Sequence, residues 1–129
     1  MKKGFTLIEL LAVIIILAIV ALIATPIILD VVEDAKKSAA TSEANVIVSG
    51  INNFCATAEM KAQIDDEYTD ICADGVTSVE VATMVNLGNA TLSGNPTYEN
   101  GKVTAITVIS NGYKVVMTGG TWAEPVKSE

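Results

Sequence analysis

A long apolar run near the N-terminus constrains this chain more than any other feature. Residues 5–29 are almost wholly apolar, and Glu9 is their one charged side chain. As an α-helix, which rises about 1.5 Å per residue, the run would measure about 37 Å. A membrane-spanning helix needs about 20 apolar residues. The sequence therefore predicts a transmembrane helix, with Lys2 and Lys3 on the cytoplasmic side and the chain beyond Asp30 outside.

Two ordinary kinds of N-terminal segment account for this run only in part. A secretory signal peptide has an apolar region of about 7–15 residues before a small-residue cleavage site. This run is longer and has no Ala-x-Ala triplet near its end. A plain single-pass anchor fits the length, but it explains neither Glu9 nor the Gly4-Phe5 junction. Since a carboxylate inside a span is costly, Glu9 indicates a function.

The motif Gly-Phe-Thr-Leu-Ile-Glu at residues 4–9, followed by the apolar run, resembles the type IV prepilin signature. Type IV pilins, competence pilins and the pseudopilins of type II secretion share this signature. The resemblance covers residues 2–26, with one departure, because Ala18 stands where many members have glycine. It implies that a prepilin peptidase in the membrane cuts between Gly4 and Phe5 and then methylates the new amine of Phe5.

The resemblance also implies a domain organisation and a set of partners. Residues 1–4 would be the leader, residues 5–29 the transmembrane and later filament-core helix, and residues 30–129 the extracellular pilin domain. The precursor would be a single-pass protein of the cytoplasmic membrane. After leader removal, inner-membrane assembly machinery would build it into a homopolymeric filament on the cell surface.

Glu9 is the candidate residue for setting the register of such a filament. After cleavage the α-amine of Phe5 is positively charged, and an unpaired charge in an apolar core is strongly unfavourable. Glu9 of one subunit is therefore expected to pair with the Phe5 amine of its neighbour. The alternative is a cap within one helix, in which Glu9 accepts hydrogen bonds from its own first turn. Both can hold, but only pairing between subunits selects a register.

The helix is expected to continue beyond the apolar run to about residue 63. Pro26 should kink the helix rather than end it, because apolar residues resume at helical spacing after it. This far half is amphipathic and needs a cover for its apolar face. Its apolar positions form two sets, separated by Glu43: Ile28, Val32, Ala35 and Ala39, then Ile47, Ile51, Phe54 and Ala58.

The rest of the chain predicts loops and a small antiparallel sheet. Residues 64–78 are expected to form an acidic loop and residues 79–87 a short helix. Asn-Gly pairs at 100–101 and 111–112 are typical of hairpin turns and bracket a segment rich in Val, Ile and Thr. Three strands between about residues 96 and 118 would cover the helix. The predicted fold is α+β, a long helix packed on a small antiparallel sheet, as the pilin resemblance also implies.

Two further expectations concern residues 30–129, the outer domain of the predicted fold. Cys55 and Cys72 lie on the exported side, where disulfides persist, so a bridge is favoured over two free thiols. Tyr98, Tyr113 and Trp122 are expected to complete a small core rather than to form an adhesive surface patch.

The composition argues against an enzyme and against a cofactor. The chain has no histidine, which removes the commonest general base and metal ligand and rules out Ser–His and Cys–His nucleophiles. Residues 70–81 depart from the EF-hand pattern, with Cys72 at the third position and Glu80 at the eleventh, so no metal is expected there. A looser oxygen site would use the loop carboxylates Asp65, Asp66, Asp70 and Asp74.

The charge balance argues against nucleic acid as a partner of the isolated subunit. The net charge is −7. Without Lys2 and Lys3, 6 basic residues remain against 15 acidic ones, and none of the basic residues is arginine. Counterion-release binding needs clustered Lys and Arg.

The leading functional hypothesis is the major structural subunit of a type IV pilus. The alternative is a pseudopilin or competence pilin of a secretion or DNA-uptake pseudopilus, which would use the same N-terminal residues. A third hypothesis, from a different class, is a single-pass anchored binding module that forms no polymer.

We expect the mature chain to begin at Phe5 with one methyl group on its α-amine. Mass spectrometry of the N-terminal peptide from surface-exposed protein checks this. Recovery of intact Met1 or Lys2 would contradict it, and would favour the anchored module.

Overall fold

The computed structural model describes residues 2–67, 71–74 and 83–129. The chain divides into two compact units, Met1–Ala35 and Lys36–Glu129. One α-helix, α1, extends over Leu7–Ile64, and the second unit adds a six-stranded antiparallel sheet. The predicted α+β fold is confirmed. The helix ends one residue beyond the predicted position.

In the first unit, the apolar side chains of α1 are exposed to solvent. Within the described part of the chain, α1 is the one helix long and apolar enough to cross a membrane. The helix does not end at Pro26. Next to it, the Thr25 hydroxyl donates a hydrogen bond of 2.7 Å to the Ala21 carbonyl, a contact that often accompanies helix bending. The kink at Pro26 stays a prediction.

The sheet of the second unit is built around one long hairpin. Its strands are β1 (Thr91–Leu92), β2 (Thr97–Glu99), β3 (Lys102–Ser110), β4 (Tyr113–Thr118), β5 (Thr121–Trp122) and β6 (Val126–Lys127). The central hairpin is β3–β4; β1 and β2 pair with β3, and β5 and β6 pair with β4. The three predicted strands correspond to β2, β3 and β4. The other strands have two residues each, too few to show an alternating pattern.

Both Asn-Gly pairs form the expected turns. Asn100 and Asn111 have φ values of 53° and 52°, and Gly101 and Gly112 have φ values of 71° and 79°. Positive φ at both central residues is the conformation of a type I′ turn. The first turn joins β2 to β3 and the second joins β3 to β4, so the hairpins predicted from the sequence are confirmed.

One face of α1 packs on the inner face of the sheet. The buried helix residues recur at helical spacing: Ala40, Ala44, Ile47, Val48, Ile51, Cys55 and Ala58. From the sheet, β4 contributes its alternating residues Tyr113, Val115 and Met117, and β3 contributes Val103, Ile106 and Val108. The second predicted apolar set therefore lies in the core, although Phe54 is only half-buried. The first set, residues 28–39, is exposed, because the covered stretch of helix begins at Ala40.

The three aromatic residues that were expected in the core are part of it. Tyr98 and Tyr113 are buried and Trp122 is half-buried against the cluster. Burial raises the pKa of the Tyr98 phenol above its ordinary value, because it disfavours the charged phenolate.

Polar contacts between described residues also join the helix to the sheet. The Asn52 side-chain oxygen accepts a hydrogen bond of 2.9 Å from the backbone N–H of Val103. The Asn45 side-chain oxygen accepts one of 2.7 Å from the Trp122 indole. Glu43 accepts a hydrogen bond from the hydroxyl of buried Ser110. Glu43 was expected only to interrupt the apolar stripe, but its carboxylate also accepts this hydrogen bond from the sheet.

A disulfide joins the helix to the following loop. Cys55 and Cys72 are bonded, with their Cα atoms 5.5 Å apart. The bridge predicted from the exported location is confirmed. Both cysteines are fully buried, so the bridge is part of the core.

The segments between helix and sheet are described only in part. Residues 65–67 of the acidic loop are exposed, and residues 68–70 and 75–78 lie outside the described residues. The predicted helix over 79–87 begins in the undescribed part, and its described residues, 83–87, contain turns and no α-helix. Met84, Val85 and Leu87 instead pack on the core. Contact with the core has overridden the local helical pattern there.

The helix–sheet core makes a prediction for the stability of the subunit. Ile51→Ala should lower the free energy of unfolding of the second unit by about 2–5 kcal/mol, because it leaves a cavity. Ile51 is 0% exposed and Val46, on the same helix, is 71% exposed. Val46→Ala is therefore the matched control. Denaturant unfolding of both variants in detergent checks the difference, and equal losses would contradict the described core.

Candidate assembly site

The residues singled out at the N-terminus lie at the start of α1. Residues 2–6 precede the helix and are exposed. The Gly4–Phe5 peptide bond is therefore outside the helical hydrogen-bonding pattern. A Cβ atom built on Gly4 would have no atom within 4 Å. Within the described chain, the space that a side chain at residue 4 would enter is therefore open.

Thr6 and Glu9 form a capping box at the first turn of the helix. The backbone N–H and the hydroxyl of Thr6 donate to Glu9 Oε2, at 2.8 Å and 2.9 Å. In return, the backbone N–H of Glu9 donates to the Thr6 hydroxyl oxygen at 3.3 Å. Such reciprocal bonds satisfy N–H groups that have no partner within the helix. The carboxylate also lies at the helix N-terminus, where the macrodipole favours negative charge.

The two oxygens of the Glu9 carboxylate have different surroundings. Both hydrogen bonds from Thr6 end on Oε2. Among the described residues, no hydrogen bond reaches Oε1. The carboxylate is thus held in position by its own helix and retains an oxygen that can accept a bond from outside the subunit.

An apolar groove lies beside this carboxylate. Its lining combines the Phe5 ring with side chains from the first two turns of the helix: Glu9, Leu10, Ala12 and Val13. Phe5 is 93% exposed, so this ring has almost no cover within the chain. An anionic group surrounded by exposed apolar surface is suited to receiving a cationic partner on an apolar segment.

The structure groups some of the predicted site residues and separates others. Gly4, Phe5 and Glu9 lie together at the helix start, whereas Pro26 lies farther along α1 and the Cys55–Cys72 bridge belongs to the second unit. The role of Thr6 was missed by the sequence reasoning. The signal was present, because Thr-x-x-Glu before an apolar run is the pattern of a capping box.

Two of the loop carboxylates, Asp65 and Asp74, accept hydrogen bonds from backbone N–H groups. Asp65 Oδ1 accepts the backbone N–H of Glu67 at 3.1 Å, and Asp74 Oδ1 accepts that of Asn100 at 2.9 Å. Over the described ranges, no group of three His, Cys, Asp or Glu side chains could hold a metal ion. Asp70, named in the looser oxygen site, lies outside those ranges.

Comparison with known proteins identifies the N-terminal segment. Residues 1–25 match the family model described as the prokaryotic N-terminal methylation motif. No curated protein and no solved structure gives a significant match to the chain. The motif match agrees with the resemblance to type IV prepilins, and with the α+β fold it supports a pilin-like or pseudopilin-like protein. The apolar helix start fits a membrane-anchored precursor.

The capping box predicts how Thr6 affects the start of the helix. Thr6→Ala removes the hydroxyl, so it should increase amide hydrogen exchange in the first turn by about fivefold, the effect of losing an N-cap contact of typical strength. Thr6→Ser retains a hydroxyl and should exchange nearly as the parent chain does. Exchange measured on the full chain in detergent checks this. Equal protection in the alanine variant would show that the cap does not hold the first turn.

Proposed function

We propose that this pilin-like or pseudopilin-like chain is the major structural subunit of a type IV pilus. The observation that carries the proposal is the exposed apolar first half of α1, which begins with an N-terminal methylation motif. The same helix, from Ala40 onward, is covered by a folded sheet. A helix of this kind needs two environments: a bilayer for the precursor and a bundle of identical helices after assembly.

The change of solvent accounts for polymerisation. In lipid, apolar helices gain little hydrophobic energy by meeting one another. In water, their exposure would cost about 25 cal/mol per Å² of apolar surface, or tens of kcal/mol for a helix of this length. Extracted helices therefore bundle. A heterologous contact that repeats along a screw axis without closing produces an open filament.

Processing at Gly4 and Phe5 is supported by the exposure of the junction. The bond between them precedes the helix, and Gly4 has open space around it. Glycine has no side chain to obstruct a peptidase that must approach the backbone closely. The motif implies a prepilin peptidase as the partner. The cut creates a positive amine on Phe5, and one methyl group is then added to it.

The new amine makes Glu9 more important, because a positive charge is unfavourable at a helix N-terminus. The capping box holds Glu9 Oε2, while Oε1 accepts no hydrogen bond within the described chain. We infer that Oε1 receives the Phe5 amine of the neighbouring subunit. The intramolecular cap and the intermolecular pair are then compatible, and Thr6 positions the carboxylate for both.

Glu9→Ala should leave membrane insertion intact and reduce filament assembly at least tenfold, the factor that corresponds to about 1.4 kcal/mol. Glu9→Gln should show a smaller defect, since it keeps the acceptor and loses the charge. Glu124→Ala, which removes an exposed carboxylate of the second unit, is the control for net charge. Filament yield at matched subunit levels in the membrane is the measurement.

The same experiment separates the proposed function from its alternatives. Abundant surface filaments of the parent chain support a pilus, whereas short periplasmic or wall-spanning polymers support a pseudopilin or competence pilin. Normal filaments from Glu9→Ala would mean that the carboxylate does not set the register. An unprocessed chain that forms no polymer at all would support the anchored binding module.

A further inference from the structure

The two Asn-Gly turns have matching backbones but different surroundings. We propose that Asn100 is a site of spontaneous deamidation, and that the fold protects Asn111 from the same reaction. This covalent modification would lie in the second unit of the chain and does not depend on filament assembly.

The reaction needs only the chain and water. The backbone nitrogen of the following glycine attacks the side-chain carbonyl carbon of asparagine, and a new C–N bond forms as ammonia leaves. The glycine nitrogen loses its proton, and the product is a cyclic imide. Water then opens either C–N bond of the ring, which yields aspartate or isoaspartate. Glycine favours the attack because it places no side chain beside the nitrogen.

The two turns are alike in the features that govern this chemistry in a peptide. Both asparagines precede glycine and have nearly the same φ, 53° and 52°. Both are exposed to water. A difference in their rates therefore has to come from the contacts of the folded chain.

Hydrogen bonds from its amide nitrogen hold the side chain of Asn111 in place. Its Nδ2 donates to the Ser110 hydroxyl oxygen at 2.9 Å and lies 3.4 Å from Glu43 Oε2. Ser110 is 4% exposed and itself donates to Glu43, so these partners are fixed in the helix–sheet contact. The attack needs the carboxamide to swing over the glycine nitrogen, which would break these bonds. For Asn100, by contrast, the described contact is the backbone bond to Asp74, and none involves its amide.

The strand pairing that closes the turn at Asn100 is also shorter and less regular. It is closed by β2, which has three residues and a register shift between Thr97 and Tyr98. The turn at Asn111 is closed by five successive β3–β4 pairs, and the Gly112 carbonyl accepts the backbone N–H of Ser128 at 3.0 Å. Short, irregular pairing opens more readily than a long ladder. Both differences favour reaction at Asn100.

Deamidation of Asn100 would introduce a carboxylate where the chain is already acidic. The backbone N–H of Asn100 donates to Asp74. Glu59 Oε2 is also near, 3.4 Å from the point that a Cβ atom on Gly101 would occupy. Isoaspartate would also lengthen the backbone at the turn and misplace the N–H that Asp74 accepts. Because Asp74 is two residues from the disulfide-bonded Cys72, we expect the modification to loosen residues 71–74.

The test is to incubate the full chain in detergent at mildly alkaline pH and to follow both peptides by mass spectrometry. The readout is the mass increase that accompanies replacement of an amide NH2 by OH. We expect Asn100 to react roughly tenfold faster than Asn111, the effect of the hydrogen bonds that hold the Asn111 amide. The disulfide-reduced chain in denaturant is the matched control, and there the two rates should converge.

Further variants test the cause of the difference. Ser110→Ala removes a partner of the Asn111 amide and should raise the rate at residue 111 alone. Asn100→Gly suits positive φ and should remove the reaction from the first turn. The proposal would be overturned if the two asparagines of the folded chain reacted at equal rates, or if Asn111 reacted faster. It would also be overturned if the ratio of the rates stayed the same in denaturant, or if Asn100 of the folded chain did not react while the unfolded chain did.

Discussion

The packing of one helix face on the inner face of the sheet is the interaction on which the rest of the structure depends. Seven buried helix residues from Ala40 to Ala58 pack on the buried residues of β3 and β4. The apolar stripe, the two asparagine contacts of the helix and the Cys55–Cys72 bridge all serve this one interface. Because it uses only part of α1, it leaves the apolar first half of the helix without a cover.

That division gives one helix two kinds of surface. The covered half belongs to a small α+β domain whose disulfide lies in its core. The other half is apolar and exposed, and its first turn holds a carboxylate beside the exposed Phe5 ring. A bilayer and a bundle of identical helices are the environments that suit such a surface. The capping box shows that Glu9 already has a role within the subunit, in addition to the proposed role between subunits.

Features with strong local causes were predictable. The helix followed from the long apolar run and from the apolar residues that resume at helical spacing after Pro26, the hairpins from Asn-Gly pairs that tolerate positive φ, and the bridge from the predicted export of the two cysteines. Features that depend on partners distant in sequence were not. Glu43 looked like a break in the stripe until Ser110 was found 67 positions away. The predicted helix over 79–87 failed in its described part, because Met84, Val85 and Leu87 pack on the core.

By itself, the sequence determined the leader motif, the membrane-length helix and the helix-plus-sheet class, since each rests on composition, spacing or turn preference within a short segment. The tertiary structure decided where the sheet begins to cover the helix. It also decided which carboxylates accept hydrogen bonds from distant residues. Of the two Asn-Gly turns, it decided which one has an asparagine side chain held by hydrogen bonds. These outcomes depend on tertiary contacts between segments that are distant in sequence, and the local sequence does not specify such contacts.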